Sequence, residues 1–318
     1  MKSINFISPK GQIIGCVIFG VFLLSLSDNL YFFVDGEVGI WQYHSIRSTM
    51  IVFFLLLAAK FYNISLVPRN YVKVFLRSIF NTLAIFCHFG GLSFLSVAEA
   101  GAGLFTAPIF VLIISWFFFS EKFEFYRFLA VLIGTIGVMV LLQPDLSNFN
   151  FLLLFPIFAG FFYGLAISIT KRWCANESTL GLTACYYLCF GIVGFVMTTV
   201  FHIFLNDMDH TGYLKYFYVG WKPVDIRFLS WLFIQAFINV TAIALIIYAY
   251  QKIEASLLSI YEYFFLIFAA FWGWVLWSQL LGFLEWLGII LITLAGAIIS
   301  RKRLVELGKK KIFTRRMK

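Results

Sequence analysis

Two stretches of this chain follow one pattern: LSVAEAGAGLFTAPIFVLIISWFFFSEKFEFYRFLAVLIGTIGVMVLL at residues 95–142 and IEASLLSIYEYFFLIFAAFWGWVLWSQLLGFLEWLGIILITLAGAII at residues 253–299. Each begins with small residues and continues through a long aromatic-rich apolar run. Each then breaks at polar residues and ends in a shorter apolar run that is rich in small residues. Such an internal repeat predicts that the two halves of the chain share one fold.

The composition is that of an integral membrane protein. Of the 318 residues, 62% are hydrophobic and 12% are charged, and the mean hydropathy is +0.94. Soluble globular proteins have about a quarter charged residues. The net charge of +9 owes much to the basic tail, which favours contact with anionic lipid over nucleic-acid binding. The five cysteines lie in or beside apolar stretches, which favours small buried side chains over metal or disulfide chemistry.

Ten apolar runs are long enough to cross a bilayer core of about 30 Å, which requires about 20 helical residues. Short polar breaks such as VDGEVG and QPDLSNFN separate them. The sequence therefore predicts an all-α integral membrane protein with ten transmembrane helices, at 11–33, 40–61, 72–94, 97–119, 127–143, 151–170, 180–205, 228–250, 255–277 and 283–300.

The distribution of basic residues predicts the orientation. If the N-terminus is cytoplasmic, most lysines and arginines fall on the cytoplasmic side, and both termini are then inside. Because each half has five spans, an odd number, the two halves must have opposite orientations. We expect a first repeat at residues 1–148, a second at 149–300 and a basic cytoplasmic tail at 301–318. Inverted repeats are typical of secondary transporters, whose substrate site lies near the midplane between the repeats.

Several motifs, taken in order, resemble the drug/metabolite transporter superfamily and, within it, the EamA-type ten-helix carriers. Asp28, Arg47 and Arg77 in the first three spans are followed by the run at 95–121 and by YEYFFLIFAAFWGWVLW at 261–277. The resemblance covers essentially the whole chain. It implies transport of small organic solutes, in a group that includes amino-acid exporters and carriers of S-adenosylmethionine or vitamins. We expect this chain to lie in a bacterial inner membrane.

Five ionisable residues lie within or at the edge of the predicted spans: Asp28, Arg47, Arg77, Glu99 and Glu262. Such groups usually face the interior of the bundle and pair with one another. We predict a substrate site in which the two arginines bind an anion beside the carboxylates. Because a guanidinium matches a carboxylate with two parallel hydrogen bonds, the predicted substrate is an amino acid or a related carboxylate-bearing solute.

Structural roles are the alternative for several of these residues. Asp28 and Arg47 can form an ion pair that fixes helix register, and Arg77 can extend to the lipid head groups. Glu99 can lie in the membrane interface. Glu262 lies deep in an apolar span between two tyrosines, and we predict that it acts in the transport pathway as a substrate ligand or a proton carrier. Protons are therefore a candidate coupling ion.

Aromatic residues and one proline complete the predicted site. Trp41, Tyr163, Tyr186 and Tyr261 can stack on an organic substrate, with membrane-belt or packing roles as the alternative. Pro108 lies within span four, where the missing backbone hydrogen bond predicts a kink suited to a gate.

The sequence does not contain the motifs that would indicate other functional classes. The four histidines are scattered without zinc-site spacing, and the chain has no phosphate-binding P-loop. We therefore predict a non-enzymatic secondary transporter that works by alternating access, as a monomer or homodimer, without a metal or cofactor. The alternative is an ion channel or a non-catalytic subunit of a membrane complex.

Overall fold

The computed structural model describes residues 9–34, 38–92, 95–121, 124–145, 151, 154–204 and 217–316. Within these ranges the chain is built from twelve α-helices and one short 3₁₀ helix, Leu30–Val34. The α-helices are α1 (Pro9–Asn29), α2 (Ile40–Tyr62), α3 (Tyr71–Gly91), α4 (Val97–Leu104), α5 (Ala107–Phe117), α6 (Phe125–Leu142), α7 (Leu154–Cys174), α8 (Thr179–Phe204), α9 (Ile226–Lys252), α10 (Ala255–Glu262), α11 (Phe264–Trp277) and α12 (Phe283–Arg316).

The helices form ten apolar spans. Nine helical segments within the described ranges are long and apolar enough to cross a membrane, and Phe283–Ile299 is a shorter apolar one. Large apolar side chains such as Phe61, Phe117 and Trp274 point outward, as expected for a surface that faces lipid. The prediction of an all-α membrane protein with ten spans is confirmed. The last helix continues beyond its apolar part to Arg316.

Packing between the two halves of the chain is reciprocal. Span three (α3) packs on span six (α7), and span eight (α9) packs on span one (α1). Span two packs on span seven (α2 on α8), and span five packs on span ten (α6 on α12). Each of these contacts has a counterpart when the two halves are exchanged. The predicted boundary between the repeats, at 148/149, lies outside the described residues, and the division into repeats stays a prediction.

Spans four and nine, which are counterparts in the two predicted repeats, are both interrupted. Span four breaks between Leu104 and Ala107, just before Pro108, which lies in the first turn of α5. A proline is tolerated there because its missing N–H would have no partner within the helix. Span nine breaks at Tyr263, where the sequence has neither proline nor glycine and gave no signal of a break.

Close contacts with glycines surround both interruptions. A Cβ atom at Gly160 of α7 would collide with the hydroxyl oxygen of Thr106 at the break in span four. A Cβ atom at Gly134 of α6 would lie 2.5 Å from Cε2 of Tyr263 at the break in span nine. The Tyr263 hydroxyl also lies 3.0 Å from Oγ1 of Thr135. Tertiary packing therefore accompanies both breaks.

Candidate functional site

Arg47 is held within a polar network in the middle of the bundle. Tyr43 and His44 can both reach Arg47 on α2, because they precede it by four and three residues. Arg47 Nη1 donates to Tyr43 Oη at 3.1 Å, and Nη2 lies 3.0 Å from His44 Nδ1. Tyr43 Oη in turn donates to Gln235 Oε1 of α9 at 2.5 Å. Arg47 is only 8% exposed, and its Nε has no hydrogen-bond partner in the described part of the chain.

Arg77 lies on α3 and contacts α7. Its Nε donates to Thr170 Oγ1 at 2.8 Å, and the Thr170 hydroxyl donates to the Ala166 carbonyl. Arg77 is 3% exposed, and its buried Nη1 has no hydrogen-bond partner within the described ranges. Among the residues that the structure describes, no carboxylate lies within 4 Å of either Arg47 or Arg77. Both buried arginines therefore lack a direct counter-ion among the described residues.

Glu262 ends α10 directly before the break in span nine. It is 9% exposed, and its Oε1 accepts a hydrogen bond of 3.0 Å from Tyr163 Oη of α7. The Tyr250 hydroxyl of α9 interacts electrostatically with the same carboxyl group but does not reach hydrogen-bonding geometry. The interruption thus lies next to a buried carboxyl group that faces two tyrosines.

Tyr186 of α8 lies near both arginines. It lies within electrostatic range of Arg47, Arg77 and Asp28, and Arg77 also lies within range of Tyr163. We call this group the central polar cluster; its members are Asp28, Arg47, Arg77, Tyr163, Tyr186 and Glu262.

Asp28 is the exposed member of the central polar cluster, at the end of α1. It lies within electrostatic range of Arg47 but makes no contact with it within 4 Å. The direct Asp28–Arg47 ion pair that the sequence left open is therefore absent from the structure. Exposure decreases from Asp28 to the buried Arg47 and Arg77.

Four residues of the predicted site are not members of the central polar cluster: Trp41, Tyr261, Pro108 and Glu99. Trp41 is fully buried, with ring centroids 5.5 Å from Phe86 and 5.3 Å from Phe217. Tyr261 is buried in the apolar core, and Pro108 lies in the first turn of α5.

Glu99 caps α4. Its Oε2 accepts hydrogen bonds of 2.7 Å from the backbone N–H and the hydroxyl of Ser96. The Ser96 hydroxyl accepts from the Glu99 N–H at 3.2 Å. This reciprocal arrangement is a capping box, and it gives Glu99 a structural role at the start of the helix.

The structure also adds polar residues that the sequence reasoning missed: His44, Thr170, Gln235 and Tyr250. Gln235 and Thr170 are polar residues inside apolar spans, and that position was the available signal. Within the described ranges, no group of three His, Cys, Asp or Glu side chains is arranged to hold a metal ion.

A second ionic group joins the ends of spans four, five and nine. Arg127, at the start of α6, lies 2.5 Å from Glu124, 2.9 Å from Glu254 and 3.8 Å from Glu121. Its Nη1 donates to Ser256 Oγ at 2.6 Å, and that hydroxyl donates to Glu121 Oε2 at 2.7 Å. We call these five residues the Arg127 cluster. It ties the connection between spans four and five to the start of span nine.

Comparison with known proteins identifies relatives among transporters. A model of the EamA-like transporter family matches residues 16–143. The pseudopaline exporter CntI of Pseudomonas aeruginosa is 20% identical over 262 residues, which cover 82% of this chain and 85% of the exporter. The riboflavin transporter of Vibrio cholerae is 28% identical over 200 residues, which cover 62% of this chain and 60% of the transporter.

A solved crystal structure has the same fold. It superposes with a TM-score of 0.73 at 17% sequence identity and covers 94% of this chain and 99% of the other. These comparisons agree with the resemblance to the drug/metabolite transporter superfamily that the sequence motifs indicated.

Proposed function

We propose that this protein is a secondary carrier for small organic solutes that bear a carboxylate, such as amino acids or related metabolites. The named relatives transport metabolites as different as pseudopaline and riboflavin, so the relatives do not choose the substrate. The argument for a carboxylate-bearing substrate comes from the central polar cluster.

One observation carries the proposal: Arg47 and Arg77 are buried, lack a carboxylate within 4 Å among the described residues, and each keep a nitrogen without a partner. An uncompensated buried charge costs several kcal/mol, and each buried unsatisfied donor costs about 1–3 kcal/mol. A bound carboxylate would offset both costs, because it accepts charge-assisted hydrogen bonds from a guanidinium.

The acidic members of the cluster suit the other end of such a solute. Glu262 and Asp28 can accept hydrogen bonds from an ammonium group, and Glu262 can alternatively carry a coupling proton. An amino acid presents a carboxylate and an ammonium together. The cluster therefore fits a zwitterionic solute better than a purely apolar one.

The interrupted spans are the proposed moving parts. Discontinuous helices at corresponding positions of two repeats commonly mark the substrate site of a secondary transporter. The break in span nine directly follows Glu262, and α7, which carries Tyr163, packs on both halves of span four. We propose that bending at these two positions opens the cluster to one side of the membrane at a time.

Counterflow into liposomes that contain the purified protein tests this function. Vesicles preloaded with pooled amino acids and other carboxylate-bearing metabolites should accumulate labelled substrate from outside, with saturable kinetics. Arg47→Ala, Arg77→Ala and Glu262→Gln should each lower this exchange strongly, whereas Arg227→Ala, which alters an exposed arginine at the start of α9, should retain it. Flux that does not saturate or show trans-stimulation would favour the channel alternative.

Membrane and orientation are part of the same proposal. We propose a bacterial inner membrane with both termini in the cytoplasm, because this placement puts most lysines and arginines inside. Cysteine-accessibility labelling at Lys222 and Lys60, each changed to cysteine in a cysteine-free background, should report opposite sides of the membrane. Labelling of both from the same side would contradict this topology.

A further inference from the structure

A groove between spans four and five has a different character from the central polar cluster. It has a volume of about 330 Å³ and lies between α5 and α6, at the lower end of the usual range for ligand pockets, about 300–1,000 Å³. Its walls are mostly apolar, and Ile113, Trp116 and Leu132 are each about half exposed on the outer surface of the bundle. The groove therefore opens toward the acyl chains of the membrane.

One end of this groove is ionic. Glu121, Glu124, Arg127 and Ser256 of the Arg127 cluster line it. Because Glu254 also contacts Arg127, three carboxylates surround one guanidinium at this end among the described side chains. Besides Arg127, α6 contributes the polar residue Thr135 to the lining of the groove. Thr135 lies about 12 Å from Arg127 along the helix axis.

A buried donor also faces the groove. Ser115 lines it and is only 2% exposed, yet its hydroxyl has no hydrogen-bond partner among the side chains and backbone that the structure describes. A buried hydroxyl without a partner costs about 1–3 kcal/mol. This second observation indicates that a polar group of a ligand completes the site.

We propose that this groove binds a membrane phospholipid with a primary ammonium head group, phosphatidylethanolamine. Its acyl chain lies along Ile113 and Leu132, and its ammonium group donates hydrogen bonds to Glu121 and Glu124. The Ser115 hydroxyl donates to an oxygen of the glycerol ester or phosphate region.

The chemistry of the groove favours this lipid over the other common classes. A primary ammonium has three N–H donors, and its hydrogen bonds to carboxylates are charge-assisted. The quaternary ammonium of phosphatidylcholine has no N–H to donate. Phosphatidylglycerol carries a net negative charge and has no ammonium group to donate charge-assisted hydrogen bonds to the carboxylates. The location at the end of two spans places the ionic group at head-group depth, where tryptophans such as Trp116 are common.

Native mass spectrometry of the purified full chain tests the proposal without any substrate. The probes are phosphatidylethanolamine, its N-methyl and N,N-dimethyl derivatives, phosphatidylcholine and phosphatidylglycerol, all with the same acyl chains. Retention should fall stepwise as methyl groups replace N–H donors, with phosphatidylethanolamine favoured over phosphatidylcholine by at least about fivefold. Equal retention of all classes, preference for phosphatidylglycerol, or no retained lipid would each overturn the proposal.

Two variants locate the bound lipid. The double change Glu121→Gln with Glu124→Gln should abolish the preference for the primary ammonium, whereas Glu285→Gln, which changes a carboxylate at the start of α12, should leave it intact. Leu132→Trp fills the groove and should lower retention of every lipid class. A preference that persists in both groove variants, each folded by its melting curve, would place the lipid elsewhere and overturn the proposal.

Discussion

The central polar cluster and the Arg127 cluster both contain arginine within an apolar bundle, but within the described ranges only Arg127 has carboxylates in direct contact. Arg127 contacts Glu121, Glu124 and Glu254 directly. Arg47 and Arg77 are more deeply buried but have only neutral hydrogen-bond partners among the described residues, such as Tyr43 and Thr170.

Burial makes this difference informative. A buried guanidinium without a counter-ion is unfavourable for the folded protein, which is why we propose a role outside stability for Arg47 and Arg77. A paired and partly exposed guanidinium needs no such explanation, because its partners account for it. The comparison therefore separates a proposed substrate site from a group that connects the ends of the spans.

The sharpest test of this comparison removes the unpaired charges. Arg77→Ala and Arg47→Ala should each lower transport efficiency by about 10- to 100-fold, because each substitution deletes charge-assisted hydrogen bonds worth about 1.5–3 kcal/mol. Neither should lower the melting temperature strongly, since no ion pair is lost. Initial rates of counterflow and a thermal melt in detergent measure the two effects. A folded variant that transports at the normal rate would remove that arginine from the site.

The opposite pattern is expected at the paired arginine. Arg127→Ala leaves three carboxylates without their cation, and we expect a loss of about 1–3 kcal/mol of unfolding free energy, less than for a fully buried pair because the group is partly exposed. The Michaelis constant for substrate should change little. Chemical denaturation alongside counterflow checks both expectations, with Arg227→Ala as the exposed control. An unchanged stability would show that the Arg127 cluster contributes little to the fold.

A conservative change sharpens the assignment of Arg77. Thr170→Val keeps the shape of the side chain but removes the acceptor of the 2.8 Å bond from Arg77 Nε. Loss of one hydrogen bond to a charged group should weaken substrate binding by about 10-fold through misplacement of the guanidinium. The effect should appear in the Michaelis constant rather than the maximal rate. A change confined to the maximal rate would argue against this positioning role.

The smallest effect is expected at the most exposed partner of Arg127. Glu254 is 43% exposed, and Glu254→Gln should change the unfolding free energy by less than about 1 kcal/mol, because exposed ion pairs contribute little. The same denaturation assay measures it. A loss as large as that of Arg127→Ala would mean that Glu254 alone balances the arginine.

The fold was predictable because its signals are local and strong. Ten apolar runs of membrane-spanning length can do little in a bilayer except form helices, since a helix satisfies its own backbone hydrogen bonds. Buried charges within such runs were also visible, and Arg47, Arg77 and Glu262 do lie with Tyr163 and Tyr186 in one cluster. Glu99 and Trp41 lie outside that cluster, in a capping box and in aromatic packing, and the sequence did not distinguish their positions from those of its members.

The sequence by itself determined that this is an integral membrane protein with ten spans and a resemblance to the drug/metabolite transporters, because hydropathy and motif order act along the chain. Only the tertiary structure decided which polar groups meet: Thr170 beside Arg77, Tyr163 beside Glu262, and three carboxylates around Arg127. It also decided the break at Tyr263, where a ring packs against Gly134 of another helix. These outcomes depend on contacts between residues far apart in the chain, and such contacts cannot be predicted from the sequence around each residue.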